Sequence, residues 1–359
     1  MVDSRVNEFD PDFVSTPGET LLEILQARGM AQSELAARTG RTSKLINEIV
    51  MGKATITSDT AIQLERALGI PAGFWNNRQQ RHSEFLARSR ESKALQSKLQ
   101  WAKRFPYRKM ANLGWIDQAT DKLVRFRNIL DFFAVASPEA WNQHYEDRLK
   151  VAYRVSRTQQ PDQYALAAWL RQGEIVGSIC ACAPYSTSRF REVLSEIRAL
   201  TTKPPSHFQA KVVELCAKSG VVVAFVRELP RTASGATRWL SPEKALLQLS
   251  LKYKTDDHLW FTFFHEAAHI LHHKRRSIFI EGGKSTSTEE MEADKFASDF
   301  LIPPQAYNEL VQRRLSCSCI EAFAAEIGIA PGIIVGRLQH DNRLAPSRCN
   351  HLKRRLKWV

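Results

Sequence analysis

The chain has no apolar run near the roughly 18 residues that a membrane-spanning helix needs. Its first residues, MVDSRVNEFDPDF, are acidic and polar and contain no apolar stretch of the secretory kind. Cysteine is scarce: six in 359 residues, at 180, 182, 216, 317, 319 and 349. A disulfide scaffold would be smaller and denser. Cys180-x-Cys182 and Cys317-x-Cys319 leave too little chain between the thiols for a structural zinc site, which wants about two to four intervening residues. Six reduced thiols are therefore expected. Internal repeats and low-complexity tracts are also lacking. What remains is 43% hydrophobic and 25% charged, the balance of a soluble globular chain with two or three domains and a cytoplasmic address, away from any membrane.

Lys and Arg exceed Asp and Glu by 51 to 38, a net charge of +13. Such an excess favours a polyanionic partner. Its distribution is uneven. Residues 1–88 hold ten bases and eleven acids, whereas 89–127 hold ten bases and only Glu91, Asp117 and Asp121. The tail HLKRRLKWV adds Lys353, Arg354, Arg355 and Lys357. A solvated linker with a basic end, or phosphate contacts outside the sequence-reading module, would each account for these runs.

The pattern predicts a multidomain, mainly α chain: a helical domain at 1–88, a helical connecting region at 89–215, and an α+β domain at 216–359. The middle is rich in aromatics, and Trp141, Tyr164 and Trp169 read as core. It breaks at Thr201-Thr202-Lys203-Pro204-Pro205. GVVVAFV (220–226) and KALLQLSLKY (244–253) read as strands. Helices follow from about Trp260 to His273 and from about Glu289 to Leu301, with Ser287 and Glu290 at capping-box spacing.

Residues 32–50, QSELAARTGRTSKLINEIV, have helix-turn-helix spacing. The small Ala36 permits a close helix crossing, and Gly40 suits a left-handed turn. Ile46 and Ile49 bury one face of the second helix. The other face carries Thr42, Ser43, Lys44 and Asn47, short polar or basic side chains suited to base edges. Arg38, Arg41 and Lys53 flank it and are candidate phosphate contacts. Glu48 and the acids at 1–12 oppose such contacts.

Residues 258–273 read HLWFTFFHEAAHILHH. Within them His265-Glu266-Ala267-Ala268-His269 is an H-E-x-x-H. Side chains four apart share a helix face, so both imidazoles can meet one Zn²⁺. Glu266 lies beside the metal as a candidate general base. A catalytic zinc needs a third protein ligand and an open position. Glu292 is the first choice, because Glu292, Phe296 and Phe300 share a helical face; Glu289, one turn earlier, is the second. Asp294 and Asp299 are expected to face water or support the ligands. His272 and His273 read as a solvated helix end, and His258 and Tyr253 as oxyanion assistants that the sequence cannot place.

Two resemblances follow. Residues 16–88 resemble the XRE (lambda-repressor-like) family, closest to its HigA-like antitoxin branch. The resemblance rests on Pro17-Gly18-Glu19, the Gln32…Ala36…Gly40…Ile46…Ile49 pattern, Met51–Thr57, and Leu68-Gly69-Ile70-Pro71 before Phe74-Trp75. It implies a five-helix domain, usually a homodimer on a palindromic double-stranded DNA operator. Residues 220–303 resemble the ImmA/IrrE metallopeptidases, gluzincin-like in ligand set. That resemblance rests on Leu249-Ser250-Leu251, Asp257, Phe264–His269, and Glu292-Ala293-Asp294 through Leu301-Ile302-Pro303. Family members often have Leu-Gly at Ala267-Ala268 and Asn at Asp294. The family implies cleavage of a transcriptional repressor, commonly an XRE protein, with the preceding strand pairing an extended peptide.

Together these readings imply a DNA-binding regulator with a zinc endopeptidase domain that cleaves itself or a paired XRE-type repressor as a stress or induction switch. The alternatives are a non-proteolytic, antitoxin-like or ligand-sensing repressor with a structural metal, and a toxin joined to its antitoxin. FAAEIGIAPGIIVGRLQHD (323–341) reads as a helical hairpin over the peptidase core, or as a second DNA-binding unit.

Overall fold

The structure, a computed structural model, describes residues 14–146, 162–273, 279–280 and 288–358. The acids at 1–12 and Ser287 lie outside the described residues. The chain divides into two compact units, Met1–Lys98 and Leu99–Val359.

Among the described residues the first unit has five helices: α1 (Pro17–Ala27), α2 (Gln32–Thr39), α3 (Ser43–Val50), α4 (Ser58–Leu68) and α5 (Ala72–Gln96). Local chemistry sets their ends. Thr16 and Glu19 form a capping box on α1, and Gly40 and Gly69 close α2 and α4 in the left-handed region. Leu21, Leu35, Ile46, Ile49, Leu64 and Trp75 form the core. The close crossing of α1 and α3 depends on Gly18, where a Cβ would lie 2.1 Å from the Ile49 carbonyl oxygen and 2.6 Å from that of Val50. Those oxygens are backbone and cannot rotate away. Gly18→Ala should therefore cost about 3 kcal/mol. In a melt of the full chain, the transition of this unit should fall by about 10 °C or more; an unmoved transition would disprove the close-crossing argument.

The second unit opens with α6 (Leu99–Ala102), α7 (Tyr107–Asn112), α8 (Lys122–Phe133) and α9 (Pro138–Trp141). Trp101, Phe105, Phe133, Trp141 and Tyr164 pack edge-on and stacked. Trp141 and Trp169 are fully buried, so the aromatics are core, as expected. Next come α10 (Gln163–Ile179), α11 (Thr187–Leu200) and α12 (Pro205–Ala217). The break at 201–204 separates the last two.

A four-stranded sheet follows: β1 (Val221–Phe225), β2 (Gly235–Ser241), β3 (Lys244–Leu249) and β4 (Phe279–Ile280), in order β1-β3-β2-β4. β1 runs parallel to β3; β2 is antiparallel to both β3 and β4. Alternation along the strands divides the faces. Ala245, Leu247 and Leu249 join the main core. Gln248 turns to the other face and donates to the Trp169 carbonyl of α10. On that face Arg238 and Glu174 also pair. The main core lies against α13 (Asp256–His272), α14 (Thr288–Leu301), α15 (Pro304–Gln312), α16 (Cys317–Ile327) and α17 (Pro331–His340). Phe323, Ile333 and Ile334 are buried there, the placement expected of a hairpin covering this core. Among the described residues no single helix is long and apolar enough to cross a membrane.

One expectation is overturned outright. Cys317 and Cys349 form a disulfide, while Cys180, Cys182, Cys216 and Cys319 are free. The spacing argument compared only neighbours in sequence, whereas these partners are 32 positions apart. The tail is likewise less solvated than its charge suggests. Lys353 Nζ lies 2.7 Å from Asp257 Oδ2, and its side chain is 14% exposed.

Asp256, the first residue of α13, is 1% exposed. Burial pushes its carboxyl up from 3.8 to about 6; the Arg354 amide opposes that shift and the Asp257 charge adds to it. A carboxyl raised on folding contributes stability that is fully present below about pH 3.8 and lost as pH rises through about 6. Asp256→Asn removes the ionisation. Melts at pH 4 and pH 8 should show the variant gaining on wild type by about 2 kcal/mol across that interval. A constant difference between the two proteins would refute the assignment.

Candidate functional site

In the first unit the turn and second helix are built as the spacing predicts. Gly40 has φ +68°, Ala36 is 3% exposed, and Ile46 and Ile49 are buried. Ser43, Lys44 and Asn47 are exposed on α3. Thr42 is its N-cap, accepting from the Leu45 amide at 3.1 Å, so part of its hydrogen-bonding capacity serves the helix. Arg38 is held by Glu34 at 2.6 Å, and Arg41 donates to Gln63 Oε1 at 2.5 Å. Lys44 lies 3.9 Å from Glu48, and Lys53 is exposed. The exposed face is polar with scattered bases.

The second site grows from α13. His265, Glu266 and His269 are 2%, 0% and 1% exposed. α13 and α14 pack against each other, and Ala267 and Ala268 on one and Ala293 and Ala297 on the other are fully buried. The inward face of α14 is thus Glu290, Ala293, Ala297 and Leu301. Glu290 Oε2 lies 3.1 Å from His265 Nε2, and Glu290 Oε1 lies 3.5 Å from His269 Nε2. The two Nε2 atoms are 3.1 Å apart.

The third corner of this cluster is therefore Glu290, not Glu292, and Glu289 is exposed. Glu292 is one step out of phase, its side chain 61% exposed, with Oε2 3.2 Å from His273 Nε2. Phe296 and Phe300, which pointed to Glu292, are only partly buried. Close helix contact selects alanine over phenylalanine. In the sequence pattern, the capping-box spacing with Ser287 gives Glu290 a helix-end role.

His273 is also corrected. Its side chain is 5% exposed, and its Nδ1 lies 2.8 Å from His269 Nδ1. His272 remains exposed. Asp294 Oδ1 lies 2.9 Å from His265 Nδ1. A carboxylate there accepts the Nδ1 proton and leaves the Nε2 lone pair aimed at the cluster. Burial first, then His265 and His273, hold His269 down to about 2, so its ring is neutral. His269 stacks on Phe279 of β4, centroids 4.1 Å apart. Tyr253 and His258 stack on each other at 4.3 Å. Asp299 is paired with Lys295.

Glu266 lies against β2. A Cβ at Gly235 would come within 2.8 Å of its Cγ and Oε1, and its backbone carbonyl accepts from Thr237 Oγ1 at 3.2 Å. The glycine makes room for the carboxylate.

The three ligand atoms lie within 4.8 Å of one another. Tetrahedral zinc bonds of about 2.0–2.1 Å place ligand atoms about 3.3 Å apart, close to the separations here. Two imidazoles and one carboxylate are also the right donors. The residues fit a divalent metal.

Comparison with known proteins divides along the same lines. Residues 222–338 match the model of the IrrE N-terminal-like domain, Peptidase_M78, and residues 21–75 match that of the helix-turn-helix family HTH_3. No curated protein matches the chain. Among solved structures it is similar to the antitoxin HigA with the higBA promoter from Pseudomonas aeruginosa, at 30% identity over 23% of this chain and 91% of that one, TM-score 0.22. It is similar to PA4674 in complex with 28-bp operator DNA from the same organism, at 28% identity over 24% and 94%, TM-score 0.23. A HigA-family addiction module antidote protein from Coxiella burnetii shows 27% identity over 23% and 92%, TM-score 0.22.

Proposed function

We propose that this chain, an XRE-type helix-turn-helix segment joined to an IrrE-like peptidase domain, is a cytoplasmic DNA-binding regulator carrying a zinc endopeptidase. Its substrate is a paired XRE-type repressor or the chain itself. The observation that carries this reading is the His265–His269–Glu290 cluster beside the buried Glu266. Zinc held by three protein ligands supplies Lewis acidity and activates water. His265, His269 and Glu290 would hold the ion, Asp294 orients His265, and Glu266 would take a proton from water and pass it to the leaving amine.

The peptide-binding edge differs from the one expected. β3 is internal, paired on both sides by β1 and β2, so it cannot accept another strand. β4 is an edge strand, and its Phe279 stacks on His269. An extended peptide added there would run beside the cluster. In the first unit Ser43, Lys44 and Asn47 face base edges, Thr42 opens the recognition helix, and Arg38, Arg41 and Lys53 hold phosphates. The protein acts as a homodimer on its operator.

The test is incubation of the protein, alone and with a paired XRE-type repressor, in zinc or in chelator, followed by intact-mass spectrometry. Zinc-dependent fragments are expected. A second reading is favoured by one observation: Glu266 has no solvent exposure, which suits a structural metal. Loss of stability in chelator with no fragments in zinc would select it.

A further inference from the structure

We propose that the Cys317–Cys349 disulfide is a redox-controlled latch that pins the C-terminal strap onto the first turn of α13, the helix carrying the His265–His269 pair. The consequence at the metal site rests on the peptidase reading, and the redox condition on the DNA-binding reading.

The strap, residues 349–358, makes a concentrated set of bonds to that turn. The Asp256 amide donates to the Arg354 carbonyl at 3.0 Å, and the Arg354 amide donates to Asp256 Oδ1 at 2.9 Å. The Leu356 amide donates to the Lys254 carbonyl at 2.9 Å, and Thr255 and Arg355 form a β-bridge. Lys353 pairs with Asp257 at 2.7 Å. α17 is shaped to admit both aspartates. A Cβ at Gly332 would lie 2.6 Å from Asp256 Oδ1, and one at Gly336 would lie 2.6 Å from Asp257 Oδ2.

These bonds hold a segment with little regular structure of its own against a buried helix start, and such a segment opens at low cost unless it is tied down. Cys349 is the tie. It stands at the head of the strap and is cross-linked to Cys317, the first residue of α16. Cys349 is 5% exposed, but Cys317 is partly exposed, so a small thiol can reach the bond. Where DNA-binding regulators act, thiols are kept reduced, and the disulfides that do form are usually transient or redox-sensing. A cross-link here is conditional on the thiol poise.

The step is thiol–disulfide exchange. The Cys317 and Cys349 thiols lose two protons and two electrons to a low-molecular-weight disulfide of the oxidised-glutathione class. Its sulfur–sulfur bond breaks as the protein's forms, and it leaves as two thiols. Reduction runs the same exchange backwards.

Hydrogen–deuterium exchange on the full chain tests this, comparing protein oxidised with oxidised glutathione, protein reduced with dithiothreitol, and Cys349→Ser. Differential alkylation should find Cys317 and Cys349 labelled only after reduction. Amides at 254–258 and 350–358 should exchange about tenfold or more faster in the reduced and variant proteins. Residues 163–179 should keep their protection, and reoxidation should restore the strap. Zinc release to a competing chelator should quicken in parallel. Equal strap exchange in both redox states, loss of protection throughout the unit, or free labelling of Cys349 before reduction would overturn the latch. A protein that binds no zinc yet shows the exchange difference would retain the latch and lose the peptidase reading.

Discussion

Glu290→Ala should abolish stoichiometric zinc binding, while Glu292→Ala should leave it near wild type. The two carboxylates are two residues apart on one helix, yet they face opposite environments. Glu290 is 8% exposed with its oxygens 3.1 and 3.5 Å from the two imidazoles. Among the described residues, Glu292 meets the surroundings of the cluster at the far nitrogen of His273, 3.2 Å away. Removing a direct ligand should weaken binding by well over the roughly 10–100-fold typical of a supporting residue. Asp294→Ala supplies that comparison and should fall within the 10–100-fold range, because Asp294 touches His265 Nδ1 and not the metal-facing nitrogen. Metal analysis of the purified proteins and titration against a fluorescent chelator would measure all three. Zinc retained by Glu290→Ala and lost by Glu292→Ala would reverse the assignment.

Glu266→Gln should lower the rate of zinc-dependent cleavage by about 10²–10⁴-fold, the usual contribution of a positioned general base, with zinc content unchanged. The amide is nearly the same size, so it fits the space that Gly235 leaves beside the side chain. It lacks the capacity to take a proton. The readout is fragment formation under single-turnover conditions, set against metal content and thermal stability of the same preparation. Cleavage at the wild-type rate would remove Glu266 from the mechanism. Because Glu266 is no ligand in this geometry, parallel loss of zinc would mean that its role is in holding the site together.

How far these residues could be read in advance follows from how local each one is. The His265–His269 pair and the turn at Gly40 depend on spacing within a helix and on one backbone conformation, and both stand as read. β2 was not anticipated. It contains Gly235 and Arg238, which look unlike a strand until the glycine is seen against Glu266 and the arginine against Glu174. β4 is two residues long, too short for any periodicity.

The sequence alone determined the helix-turn-helix spacing at 32–50, the two-histidine motif with its adjacent glutamate, and the helix-turn-helix character of 323–341, because backbone hydrogen bonding and a period of 3.6 residues are properties of neighbouring residues. Tertiary structure decided which glutamate completes the cluster, which strand lies at the sheet edge beside it, and which thiols meet. Each of those depends on the rotation and separation of packed elements. The rotation of α14 against α13 buries Glu290 on the same face as Ala293 and Ala297, and the returning C-terminal strap carries Cys349 to a partner 32 positions away.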